Sequence, residues 1–341
     1  MDNSGVDNIL AADMEAVDSL IVNSLYSSAD LIKNHVGLYI LNNGGQRLRL
    51  VIILLGVYAL NYQGNKHIKL TVILEFIHTA FRLHGNISNG SGKSSTDKFN
   101  PGKSNKSMAT VLQGKATRIL VGDFLYSRAF SMMVELEKMQ VMEILLDAIS
   151  RTSEGKTQRL LQCNNPYTTE KQYDALIQRE TSTLFEAGTR LSAVLCDGST
   201  EEESALANYG RHLGVIYQLR EDVFNCSSST NNGLKKGSLS MPVIRAMQVA
   251  APTLRTMLGE AIERGADIET IADYLDKTDA IEYTKMLAFE EGQKAKAELE
   301  ALPASPYREA LVRLSEPPSS QLSALNIQYG SQAHPVSISA R

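Results

Sequence analysis

Residues 74–89 read LEFIHTAFRLHGNISN, and the rest of the chain can be read outward from them. On a period of about 3.6 residues, His78, Phe81, Arg82, Gly85 and Asn89 share one narrow arc of a helix. Leu74, Ile77 and Ala80 lie beside that arc and suit burial. The arc joins an imidazole, an aromatic ring, a guanidinium and two neutral residues. Such a helix buries one side and presents polar chemistry along an edge.

The same period recurs in both directions. Met14, Val17, Leu20, Ile21, Leu25 and Leu31 form the apolar stripe of a helix over 11–34, after a polar lead-in at 1–9. Asn42-Asn43-Gly44-Gly45 breaks the chain before the apolar run 48–60, which is long enough for a buried helix. Further helices are predicted over 108–133, 141–162, 169–195 and 200–224. Asn164-Asn165-Pro166 ends the second of these, and Thr200-Glu201-Glu202-Glu203 is an acidic start for the fourth. Shorter helices are expected at 241–250, 253–264 and 268–275, then a charged amphipathic helix over 279–301 and a last one at 306–314. Polar stretches at 85–106 and 227–237 read as exposed, mobile loops, and 315–341 as a disordered tail after Pro317-Pro318. No strand pattern or internal repeat is evident. The expectation is one all-α domain over 10–314, built from about a dozen helices.

Composition narrows the function. The 341 residues are 43% hydrophobic and 21% charged, enough apolar material for a sizeable core. A net charge of -4 argues against a nucleic-acid binder. Cys163, Cys196 and Cys226 show no CxxC spacing and suit free thiols in a reducing compartment. The acidic N-terminus lacks a signal pattern, and no apolar run reaches membrane-spanning length, so the expectation is a cytoplasmic protein without a membrane span. Gly92-Lys93-Ser94 matches the tail of a P-loop, but the earlier glycine falls at Ile87 and no strand precedes it, so that reading is set aside.

Residues 75–84 resemble the trans-type polyprenyl diphosphate synthases, the octaprenyl branch most closely. The family phrase E-F-I-H-T-A-x-L-L-H-D-D-x-x-D is matched by Glu75, Phe76, Ile77, His78, Thr79, Ala80, Leu83 and His84. The resemblance runs from about residue 10 to 314. Gly44-Gly45-Gln46-Arg47-Leu48-Arg49-Leu50, Gly122-Asp123-Phe124, Tyr209-Gly210 and Leu302-Pro303 fall in family order. It implies an isoprenoid synthase-like bundle around a central cavity, with magnesium holding an allylic diphosphate.

The same motifs depart from the family where they should carry charge. The aspartates of the first acidic motif are Gly85, Asn86 and Asn89 here. Magnesium takes hard oxygen ligands, usually carboxylates and phosphate oxygens, so glycine offers it nothing and asparagine little. The second motif reads Tyr217-Gln218-Leu219-Arg220-Glu221-Asp222-Val223-Phe224-Asn225. Glu221 and Asp222 are the residual metal candidates, and Asn225 replaces the last aspartate. Gln46 replaces a diphosphate-gripping lysine, Arg159 a glutamine, and Glu180 a lysine that helps bind the allylic diphosphate. The family's R-R-G-K becomes Lys103-Ser104-Asn105-Lys106, and its G-K-P-T becomes Gly237-Ser238-Leu239-Ser240. Arg49 and His78 match family diphosphate ligands, and Arg82, Arg159 and Arg220 are further candidates, since guanidinium suits phosphate. Ala80 would allow a long product in the tunnel, whereas Phe81 would partly block it.

Three readings follow. The first is a non-catalytic or regulatory subunit of isoprenoid biosynthesis, with no intact catalytic set and an incomplete magnesium site. The second is an active but divergent prenyltransferase condensing isopentenyl diphosphate with an allylic diphosphate. The third is a prenyl or diphosphate binding module. The apolar residues Leu120, Phe124, Phe130, Met133, Leu136, Met139, Met142 and Leu145 exceed what one domain buries on that side. They are expected to serve a homodimer, or a heterodimer with an active polyprenyl synthase, with Glu135, Glu137 and Lys138 biasing partner choice.

Overall fold

The computed structural model describes residues 4–25, 36–37, 39–41, 47–88, 114–227, 239–263, 275 and 278–316. Among these are twelve α-helices and no strand. In chain order they are α1 (Ser4–Ser24), α2 (Leu48–Ala59), α3 (Lys66–Ser88), α4 (Lys115–Val134), α5 (Met139–Leu161) and α6 (Glu170–Ile177). They continue as α7 (Thr183–Leu195), α8 (Thr200–Ser227), α9 (Met241–Val249), α10 (Pro252–Glu263), α11 (Ala280–Glu298) and α12 (Pro306–Ser315).

Helix α2 is apolar on every side, and a helix of that kind belongs in the middle of a bundle. Ile52, Ile53 and Leu54 are fully buried. Each such side chain contributes about 1.5–3 kcal/mol by leaving water. Around α2 the main core gathers one face each of α1, α3, α4, α5, α7 and α8. Helix α8 packs along α7 and α11, and α3 along α4.

The first helix begins earlier than its composition suggests. Val6, Leu10, Met14, Val17 and Ile21 make one buried stripe, so the polar lead-in expected at 1–9 is helical from Ser4 onward. Asp7 and Asn8 hide that stripe in the sequence, because a narrow buried face leaves most positions free to be polar. Helix α1 is tied down by two carboxylates. Tyr58 donates to Asp13 at 2.6 Å, and Arg47 donates to Asp18 at 2.9 Å. Arg47 precedes α2 in the left-handed region, at φ 40°. That conformation costs about 1–2 kcal/mol for a residue with a Cβ, and the Asp18 ion pair offsets it.

The helix expected to run unbroken over 169–195 is interrupted. Gln178–Ser182 forms a π-turn between α6 and α7. Its place is set from outside. A Cβ on Gly155 of α5 would lie 2.7 Å from the Glu180 amide nitrogen, and one on Gly214 of α8 would lie 2.5 Å from the Ser182 Cα. The backbones meet only because both positions are glycine. The wider turn rotates Glu180 toward α5.

Two further boundaries move. Residues 85–88, expected in a loop, are the last turn of α3, and the helix expected from 108 is described from Lys115. The rest of the loops expected at 85–106 and 227–237 lies outside the described residues. So do Gly44, Gly45, Gln46, Asn89, Gly237, the stretch Lys103-Ser104-Asn105-Lys106, the helix expected at 268–275 apart from Leu275, and the tail from 317.

Candidate functional site

Four elements bring the sequence candidates to one side of the bundle: the start of α2, the second half of α3, the C-terminal half of α5 and the π-turn. The end of α8 adds the second acidic motif.

Arg49, in the first turn of α2, is half-buried, with its Nε out of reach of solvent. Its guanidinium stacks 4.4 Å from the Phe185 ring centroid and 5.5 Å from that of Tyr217. One Nη approaches His78 Nε2 at 3.1 Å. Arginine only donates, so His78 accepts on Nε2 and carries its proton on Nδ1. Burial is the main force holding the His78 pKa well below the usual imidazole range, and the charges of Arg49, Arg82 and Lys156 add to it. His78 is therefore neutral at physiological pH. Arg49 Nε and His78 Nδ1 are both buried without a hydrogen-bond partner. One turn before His78, burial pushes Glu75 up to about 7 against the opposing charges of Arg82 and Arg49.

On α5, Lys156 is the residue the sequence reading left without a role. Lys156 lies 3.8 Å from where a Cβ at residue 85 would be. It also sits 5.8 Å from the Phe81 ring centroid and 3.5 Å from Glu180. Arg159, one turn further on, pairs with the same Glu180 carboxylate and stacks 5.8 Å from the Tyr173 ring centroid. Glu180 thus does not face a diphosphate position as a bare repulsive charge. It is bracketed by two cations, one of them the residue that replaces glutamine in the resembled motif. The signal was present in sequence as Lys156 and Arg159 three apart on one helix face, but their partner lies more than twenty residues away.

The second acidic motif divides. Asp222 is buried and accepts from Tyr173 Oη at 2.7 Å, Gln218 Nε2 at 3.0 Å and the Met241 amide at 3.0 Å. Met241 opens α9, so Asp222 satisfies one of that helix's orphan donors. Burial raises its pKa to about 6, with those donors and Arg159 opposing the rise. Glu221 is exposed and, among the described residues, accepts from the Tyr217 hydroxyl at 3.4 Å. The two carboxylates do not converge. Asn225 lies further along the same helix, partly exposed. Arg220 reaches the other way and donates to the carbonyls of Leu314 and Glu316, capping the end of α12. Among the described residues, no three His, Cys, Asp or Glu side chains come together as a metal site.

Beside the cations lies an apolar cleft of about 340 Å³ between α3, α4 and α5. Phe81, Tyr126, Phe130 and Ile149 form its walls, and Lys156, Ser153 and His84 its polar edge. Phe81 meets Tyr126 edge-on at 5.5 Å and lines this space. Ala80 is buried in the main core and is not part of the wall.

The sequence profile of the family described as polyprenyl synthetase matches residues 32–277. Octaprenyl diphosphate synthase of Escherichia coli is 34% identical over 320 residues, covering 91% of this chain and 96% of the relative. Two solved structures share the fold. A decaprenyl diphosphate synthase from Rhodobacter capsulatus superposes with a TM-score of 0.83 at 27% identity, over 96% of this chain and 99% of that one. A polyprenyl synthase from Caulobacter crescentus, complexed with calcium and isoprenyl diphosphate, superposes with a TM-score of 0.80 at 29% identity, over 90% of this chain and 94% of that one.

Proposed function

The chain belongs to the polyprenyl synthetase family, and we propose that it serves there as a non-catalytic, synthase-like subunit of isoprenoid biosynthesis. The observation that carries this reading is the state of its charges. Asp222 is held by three protein donors, and Glu180 pairs with both Lys156 and Arg159. Groups that would grip metal and diphosphate in a turning-over site are here partners of one another.

Ionising an allylic diphosphate requires cations placed where the leaving charge develops. Glycine at 85 and the divergent Asp222 and Glu221 do not fit an octahedral magnesium site, so no step is assigned through that ion. Incubation with magnesium, isopentenyl diphosphate and farnesyl diphosphate should give no chain elongation above background. Family-like elongation that is lost in Glu221→Ala would overturn the proposal.

The partner surface is the α4–α5 face. Leu120 and Met139 are 68% and 70% exposed, and Phe130 and Leu146 also reach solvent, while Met133, Leu136 and Leu145 point into the core. Apolar side chains so placed suit a two-fold or pseudo-two-fold contact with a second synthase-fold chain. Co-expression with an intact polyprenyl synthase should give a mixed dimer. A strictly monomeric protein in sedimentation, with no co-purifying synthase, removes the subunit reading. No described helix is long and apolar enough to cross a membrane, and the free thiols Cys163, Cys196 and Cys226 suit a reducing compartment.

A further inference from the structure

We propose that the seam between α8 and α11 is a docking groove for the chain's own C-terminal segment, whose Leu322, Leu325 and Tyr329 cover Phe224 and Phe289. The two helices run antiparallel, since Asn208 donates to Glu298 and His212 pairs with Glu291 across them. Helix α12 lies along the same seam and runs in the direction of α8. The Tyr209 hydroxyl donates to the Leu311 carbonyl, and Arg220, about three turns further along α8, donates to the carbonyls of Leu314 and Glu316. On α11, a Cβ at Gly292 would lie 2.6 Å from the Ser315 carbonyl oxygen, and Lys296 Nζ donates to Glu316 Oε1 at 3.0 Å.

The chain thus advances toward the C-terminal end of α8. At Glu316 its backbone is extended, at φ -76° and ψ 152°. A following proline requires that conformation, and Pro317-Pro318 cannot continue α12. What lies ahead is apolar and uncovered. Phe224, one turn past Arg220 on the same face of α8, is 69% exposed. Phe289, one turn from Gly292 on α11 and on the side toward which the chain is heading, is 50% exposed. Two aromatic rings open beside the exit of a chain end form a patch of the kind that another segment covers. A donor at the exit is also unfilled. Arg220 Nε is buried with no partner among the described residues, and a carbonyl of the departing chain would complete it.

The segment beyond Glu316 suits this groove. From Glu316 to Leu322, six extended residues reach at most about 20 Å. Each phenylalanine lies only about 5 Å, one helical turn, beyond the residue that holds the end of α12. Leu322, Leu325 and Tyr329 recur three and four apart, the spacing with which a segment presents one apolar face to a groove. Residues 317–333 carry no charged side chain, so laying them on aromatic rings strips no ion of its water. The docked segment covers the turn of α8 that also carries Glu221 and Asn225. This goes beyond the non-catalytic reading and stands whether or not the chain turns over.

The chain has no tryptophan, so Phe224→Trp and Phe289→Trp each place a single reporter in the groove of the full chain. In both, adding Leu322→Asp with Leu325→Asp should move the emission to longer wavelength, by the same amount at every protein concentration. In the wild type, amides of 319–329 should exchange more slowly than in an unstructured chain, and the double aspartate variant should abolish that protection while leaving the helices protected. Exchange in the wild type decides the matter where a reporter variant fails to fold. Emission indifferent to the two aspartates in both reporters, or unprotected amides over 319–329 in the wild type, overturns the proposal. A shift that vanishes on dilution assigns the groove to a second copy and overturns it as well.

Discussion

Asp222 accepts hydrogen bonds from Tyr173, Gln218 and the Met241 amide, whereas Arg49 keeps a buried Nε with no partner, although both come from motifs of the same family. The first region has become structural. Its acids and cations satisfy one another, and through Met241 they position α9. The second region still holds donors that nothing in the chain uses. Since an unmade buried hydrogen bond costs more than a made one contributes, such donors are evidence of a ligand in a way that satisfied ones are not. The two regions thus differ in how their polar groups are satisfied, one by the chain itself and one only in part.

The comparison breaks first at Asp222. Asp222→Ala leaves a buried tyrosine hydroxyl, an amide side chain and a helix N-terminus without an acceptor, and should cost about 3 kcal/mol or more. Denaturant unfolding measures it, and a loss below about 1 kcal/mol would mean the network is not holding α9. The second region has its own signature in Glu75. Burial raises this carboxyl from 4.5 to about 7, so between those values the folded protein holds a proton that the unfolded chain has released. Stability from this group is full below pH 4.5 and falls as pH rises to 7, by up to roughly 3 kcal/mol. Melting curves of wild type and Glu75→Gln should therefore diverge toward alkaline pH, with the variant the more stable at pH 8. A difference that does not change with pH would show that Glu75 is ionised throughout.

Smaller effects sharpen the boundary between the two regions. Gly155→Ala pushes a methyl group into the Glu180 backbone and should cost about 2 kcal/mol in thermal unfolding. A neutral result would mean the π-turn can relax into ordinary helix. Glu221→Ala, next to Asp222 but facing solvent, should change stability by less than about 0.5 kcal/mol. A large loss there would erase the distinction drawn between the two acids.

The helical stripes made most of the fold legible in sequence, because burial imposes a period that needs no partner to be named. Val6 and Leu10 escaped because one isolated apolar residue before Ile9-Leu10 is too little to extend a period. The π-turn was not legible at all. Nothing in Gln178-Arg179-Glu180-Thr181-Ser182 specifies it, and its cause lies in Gly155 and Gly214 on other helices. The site was legible one residue at a time. Arg49 and His78, from separate motifs, meet at 3.1 Å. Arg220 and Arg159 were read as candidate phosphate ligands because guanidinium suits phosphate; their partners within the chain, carbonyl oxygens after α12 and Glu180, are too far off in sequence to be foreseen. Lys156 was in view without a role, since only tertiary contact sets it beside Gly85 and Phe81.

That contact also bears on what position 85 can tolerate. Burial disfavours the Lys156 ammonium, and Glu180 is the carboxylate that offsets this. With Lys156 Nζ 3.8 Å from where a Cβ at residue 85 would be, an acidic side chain introduced there would meet the ammonium and compete with Glu180 for it. A substitution at one helix seam would thus be felt in the π-turn on the other side of α5.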